Sequence, residues 1–139
     1  MQQMIPFLNC LWNDALHFSP VHPQIIIDEL KKAGMAGMAE MPASMEYFEI
    51  DSTELLPENS LIYLYRADLP VKMSEENFAE YNDVNLSKIE NILPEMTKEY
   101  FITCIKSNQN PLMFHGVPHI LYKGILNVTK FTRIAIDTN

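Results

Sequence analysis

The sequence predicts an α+β fold: a single domain with a mostly antiparallel sheet, an N-terminal helix pair, and short central helices packed on that sheet. Three observations lead there. Aromatic and β-branched runs around residues 47–50, 61–65, 100–105 and 128–136 have strand character. Before residue 33 the apolar residues recur at helical spacing. Turn chemistry such as Ser107-Asn108-Gln109-Asn110-Pro111 separates the runs, with no repeat, linker or low-complexity tract between them. A chain of 139 residues, 47% of them apolar, is long enough to bury a core as one globular domain over residues 1–139.

Taken in order, residues 6–18 place Phe7, Leu8, Leu11, Trp12, Ala15 and Leu16 at helical spacing behind Pro6, which predicts a first amphipathic helix. Ser19-Pro20-Val21-His22-Pro23 breaks it, because a residue before proline is pushed out of the helical region. A second helix is predicted from Pro23 to Ala33, burying Ile26, Ile27 and Leu30, with Lys31 and Lys32 in its last turn and Gly34 as its stop. Met35, Met38, Met41 and Met45, interleaved with small residues, read as a loop whose thioethers fill the space between that helix and the sheet. Residues 45–66 then read as two strands, adjacent in one sheet, around an acid-rich connection at 51–60.

Further on, Ser74 opens a short helix through Tyr81, with Glu75 and Glu76 in its first turn. Ser87-Lys88-Ile89-Glu90 has the capping-box form and opens another helix carrying Ile89, Ile92 and Leu93, which Pro94 kinks or ends. Residues 100–105 are predicted as strand. The segments 112–114, 120–122, 125–126 and 128–136 complete the sheet, with residues 131–136 alternating as a half-buried last strand.

The net charge of −8 is unevenly distributed. Between residues 33 and 99 fourteen acids face four bases, whereas residues 100–139 hold four bases and one acid. Such a field repels nucleic acid and membrane surfaces from the central region and attracts basic partners. Direct nucleic-acid binding there is therefore excluded as a reading. The start of the chain has no basic region followed by an apolar run, and no window approaches membrane-span length, so a cytoplasmic location without membrane attachment is expected.

No motif specifies a catalytic centre. His115 and His119 are four apart, but Gly116 and Pro118 deny them a helix, and grouping them with His17, His22 and Cys10 has no supporting Cys/His spacing. Histidines that cap, turn or sit half-buried are the default. Cys10 and Cys104 sit in apolar surroundings as buried thiols, and the four glycines form no phosphate-binding loop. Neither metal nor cofactor is expected. The acids Glu46, Glu49, Asp51, Glu54 and Glu58, with Tyr47 among them, are the expected partner-binding face.

The resulting expectation is a small acidic non-enzymatic protein that neutralises a basic protein, such as a nuclease or another nucleic-acid-binding protein. Immunity proteins, antitoxins and anti-defence inhibitors work in this way. One alternative is a small enzyme or metal- and ligand-binding domain using the histidines, the cysteines and Arg66 as anion anchor. Another is a structural subunit of a larger assembly, which would self-associate as a homo-oligomer.

Overall fold

The computed structural model describes residues 3–35, 44–66 and 73–137, with the side chains of Ser44 and Met45 outside that set. In chain order the strands and α-helices are β1 Met4–Ile5, β2 Cys10–Leu11, β3 Leu16–Phe18, α1 Pro23–Lys32, β4 Ser44–Glu49, β5 Ser60–Tyr63, β6 Phe78–Glu80, α2 Asp83–Ser87, α3 Glu95–Lys106, β7 His119–Tyr122 and β8 Thr132–Asp137. Helix and sheet are mixed, and among the described residues every strand pairing is antiparallel. The chain divides into two compact units. One comprises Met1–Pro20, Asp51–Glu90 and Pro118–Asn127; the other comprises Val21–Ile50, Asn91–Val117 and Val128–Asn139.

The first unit is built on a four-stranded sheet of order β3-β7-β5-β6, accompanied by the β1-β2 ribbon. Every residue of β5 is buried, as a central strand covered on both faces requires. Leu61, Tyr63 and Leu121 meet Ile5, Leu8 and Ala15 in a shared core. Asn77 is fully buried, and its polar atoms are satisfied: its Nδ2 donates to Leu64 O at 3.2 Å, its O accepts from Leu64 N, and its Oδ1 accepts from Ser74 Oγ at 3.1 Å. These bonds continue the β5-β6 pairing one residue past Tyr63.

The expected helix over residues 6–18 is not formed. That segment is the turn of the β1-β2 ribbon, a 3-10 turn at Trp12–Asp14, and β3. Phe7 and Asn9 take positive φ, 69° and 53°, which no right-handed helix accommodates. Leu8 thereby turns inward while Phe7 is 68% exposed, so residues that would share a helical face are sent to opposite sides. The N-terminal helix pair is therefore a single helix, α1. The helix expected from Ser74 is likewise a single 3-10 turn, Glu75–Asn77, leading into β6. The helix expected from Ser87 is displaced upstream: α2 starts at Asp83, where the Asn82 side chain accepts from Asn85 N at 2.8 Å, and it ends at Ser87.

The second unit holds α1, α3 and the two-stranded β4-β8 sheet. Helix α1 follows its prediction closely. Pro23 occupies the first turn, the His22 ring Nδ1 accepts from Gln24 N at 3.1 Å as the N-cap, and Gly34 closes the other end at φ 107°. Its Ile26, Ile27 and Leu30 are fully buried with Val21, Phe101, Val117 and Ile136, each large side chain worth about 1.5–3 kcal/mol of apolar transfer. The Gln24 amide holds the end of β8 from both sides, donating to Asp137 O at 3.0 Å and accepting from Asp137 N at 2.9 Å.

Residues 100–105, expected as strand, lie inside α3. Pro94 is its N-cap, so the proline starts this helix where it was expected to end or kink another. Thr97, Phe101 and Cys104 are buried at intervals of four and three, the repeat of one helical face. Residues 112–114 form a turn, and 125–126 lie outside any strand, whereas β7 and β8 fall where strands were predicted. Within β8 the buried side belongs to Ile134 and Ile136, with Thr132, Arg133 and Ala135 exposed. Met38 and Met41 of the methionine-rich loop lie outside the described residues; Met35 packs half-buried against the second core.

Candidate functional site

The strands expected to form one acid-bearing pair belong to different sheets. Strand β4 pairs with β8 in the second unit, and β5 pairs with β6 and β7 in the first. Consequently the six expected contact residues divide: Glu46, Tyr47 and Glu49 lie on β4, while Asp51, Glu54 and Glu58 lie on the connection before β5.

On β4 the acids do not make one face. Side chains alternate along a strand, so Glu46 and Glu49, three apart, point to opposite sides. Tyr47 packs half-buried on the second core, and burial raises its phenol pKa. Glu46 shares the outer side with Phe48 and, across the ribbon, with Arg133 and Ala135. The Arg133 guanidinium lies 5.7 Å from the centre of the Phe48 ring, a cation–π contact that places a positive charge in that surface.

The connection to β5 is different. Two 3-10 turns, Ser52–Glu54 and Pro57–Asn59, fold it compactly. Asp51 caps the first turn: its carboxylate accepts from Thr53 N at 2.9 Å and from Thr53 Oγ1 at 2.8 Å, and those bonds, the backbone one foremost, lower its pKa. Leu55 is buried while its neighbour Leu56 is 51% exposed, set between the exposed Glu54 and Glu58. The turn is tied down from the far side by Tyr81, whose buried ring sends its hydroxyl to Ser52 O at 2.6 Å.

That tether adds a residue the sequence reading missed. Burial raises the Tyr81 pKa, the Ser52 side chain opposes the rise, and the carboxylates of Asp51 and Asp83 both add to it. Asp83, at the start of α2, thus acts on the same hydroxyl as Asp51. Its neighbour Val84 is 65% exposed. The acidity of the chain also concentrates in this unit: its three segments contain ten acids and four bases, a balance of −6, against eight and six in the other, a balance of −2. The signal for Asp83 lay in Asn82-Asp83, a cap followed by a first-turn acid, but only the fold brings its charge to bear on the hydroxyl that tethers Ser52.

The histidines are distributed among three roles. His22 caps α1, and His115 stacks on Tyr100 with ring centres 3.9 Å apart. His17 on β3 and His119 on β7 meet in the first unit, with Nδ1 to Nδ1 at 3.4 Å, in an aromatic cluster with Trp12 and Tyr63. Both cysteines are free thiols; Cys104 is buried, and the half-buried Cys10 has its pKa raised by burial first and by Asp14, with Lys123 opposing. A thiol held protonated in this way is a poor nucleophile. Arg66 is exposed just beyond β5. Among the described residues no group of three or more His, Cys, Asp or Glu is placed to hold a metal ion, and no helix is long and apolar enough to cross a membrane. Compared with protein-family models, with curated proteins and with solved structures, the chain matches none.

Proposed function

We propose that this protein is a non-catalytic binding protein, acting inside the cell, that covers a basic site on another protein through the acidic surface of its first unit. The observation that carries this reading is the Tyr81–Ser52 tether, which holds the Ser52–Glu54 turn that Asp51 caps, with Asp51 and Asp83 both acting on the tethering hydroxyl. Two exposed apolar residues accompany these acids along the chain, Leu56 between Glu54 and Glu58 and Val84 after Asp83. In such a surface the carboxylates raise the encounter rate and select a basic partner, while the apolar side chains supply area that is desolvated on contact. A nuclease or another nucleic-acid-binding protein presents a basic surface that such acids would complement, and the proposed role is that of an inhibitor of the immunity-protein or antitoxin type.

The test is capture of basic proteins from the native cell at low salt, followed by affinity measurement against salt. Binding is expected to weaken steeply between about 50 and 200 mM salt. The triple substitution D51K/E54K/E58K is expected to abolish it, whereas E46K and E49K on β4 change it little. Normal binding by the triple variant, with its fold intact by circular dichroism, refutes the proposal.

A further inference from the structure

The His17–His119 pair lies outside the acidic surface and is unused by it. The two residues are 102 apart in sequence and come together because β3 and β7 pair with His17 opposite Leu121, which puts His119 diagonally across on the same face. Three features of the pair are those of a ligand set. Its Nδ1 atoms are 3.4 Å apart, while two imidazole nitrogens on one tetrahedral ion, each at about 2.0–2.1 Å, stand about 3.3 Å from each other. The Nε2–H of His17 donates to Trp12 O at 2.9 Å, which fixes the tautomer and leaves Nδ1 as a lone pair aimed at His119. A ligating imidazole characteristically carries such a second hydrogen bond to a backbone carbonyl. Finally, His17 is exposed, so an ion seated there can retain water on its remaining positions.

We propose that His17 and His119 form a two-imidazole chelate for a borderline divalent transition ion of the zinc, copper or nickel class. Without the ion, His119 Nδ1–H donates to His17 Nδ1. With it, the proton of His119 moves to Nε2 of the same ring, both Nδ1 lone pairs turn to the ion by small ring rotations, and no net proton is released from the neutral pair. Imidazole donors suit these ions and are too soft for magnesium or calcium. Two protein ligands and water give an exchangeable site rather than a structural one, and the site does not depend on the acidic surface.

Trp12 is the single tryptophan, and its ring centre is 4.6 Å from that of His17, so its fluorescence reports the site directly. Cu2+ added to the full chain in a non-chelating buffer is expected to quench Trp12 saturably at one equivalent, with a dissociation constant on the order of micromolar. Zn2+ followed by calorimetry is expected to give the same stoichiometry, and Mg2+ no heat. H17Q and H119Q should each weaken Cu2+ and Zn2+ binding by roughly tenfold or more, the double variant should abolish the one-equivalent phase, and H22Q and H115Q should leave it intact. Binding should weaken in acid, since ligating imidazoles must be neutral. The proposal is overturned if quenching does not saturate at one equivalent, or if a saturable phase persists in the folded H17Q/H119Q variant, which would mark an adventitious ion only.

Discussion

Substitution of Tyr81 by Phe isolates the tether on which the acidic surface depends. The change keeps a buried ring, 5% exposed, and removes one hydroxyl whose bond to Ser52 O is 2.6 Å long. A net hydrogen bond is worth about 0.5–1.5 kcal/mol. The bond is part-buried at an exposed residue, so water can reach the Ser52 carbonyl and the full penalty for a buried unsatisfied acceptor does not apply. The expected loss is therefore about 1 kcal/mol, measured by urea denaturation at neutral pH. It should fall locally, as faster amide exchange over residues 52–55, with the four-stranded sheet unaffected.

The pH dependence follows from the raised Tyr81 pKa. A raised value in the folded state means stability that is whole below the ordinary phenol value of about 10 and is lost as the pH rises through the folded value. The gap between wild type and Y81F should consequently close in strong alkali. A loss above about 3 kcal/mol, or unchanged exchange over 52–55, would refute the tether, the first because the ring would have to be repacked and the second because the turn would be held by something else.

Two further outcomes test the packing and the cap. Gly116 sits at φ 80° with its missing Cβ directed at Thr97 Oγ1, 2.6 Å away, and that hydroxyl donates to His115 O at 2.8 Å. G116A is expected to cost about 2–4 kcal/mol in denaturant titration, from left-handed strain together with the displaced buried bond, and G116A/T97A to cost less than the sum of the single changes. D51A removes the cap of the Ser52–Glu54 turn. Because the Asp51 pKa is lowered, the stability it supplies is whole above the ordinary carboxylate value of about 3.9 and is lost as the pH falls through its lower folded value. The difference between wild type and D51A should thus be present at neutral pH and vanish in acid; a difference that stays constant on acidification would contradict the assignment.

Helix α1 was legible because several local signals agree over residues 22–34: proline in the first turn, three apolar residues on one face, lysines at the end and a glycine after it. Residues 100–105 misled because Tyr, Phe, Ile and Thr are strand formers by a margin of only about 1 kcal/mol, which packing overrides. The helical repeat of Thr97, Phe101 and Cys104 was present in the sequence, hidden by treating Pro94 as an end rather than a start. Over residues 6–18 the repeat itself misled. Apolar residues at helical spacing also fit a ribbon and an edge strand when Phe7, one of them, and Asn9 adopt positive φ.

The sequence by itself determined the α+β class, the position of α1, the strands around 120–122 and 132–136, and the concentration of acids near the middle of the chain. Those properties are local, written in neighbouring residues and in composition. Only the tertiary structure decided which strands pair, that β4 and β5 part into different sheets, and that Asp51 and Asp83 both act on the Tyr81 hydroxyl while Glu46 and Glu49 face away from each other. It also decided that His17 meets His119. Pairing and register depend on contacts between residues far apart in the chain, as Leu16 and Tyr122 are, and strand propensity and charge are the same whichever partner a strand takes.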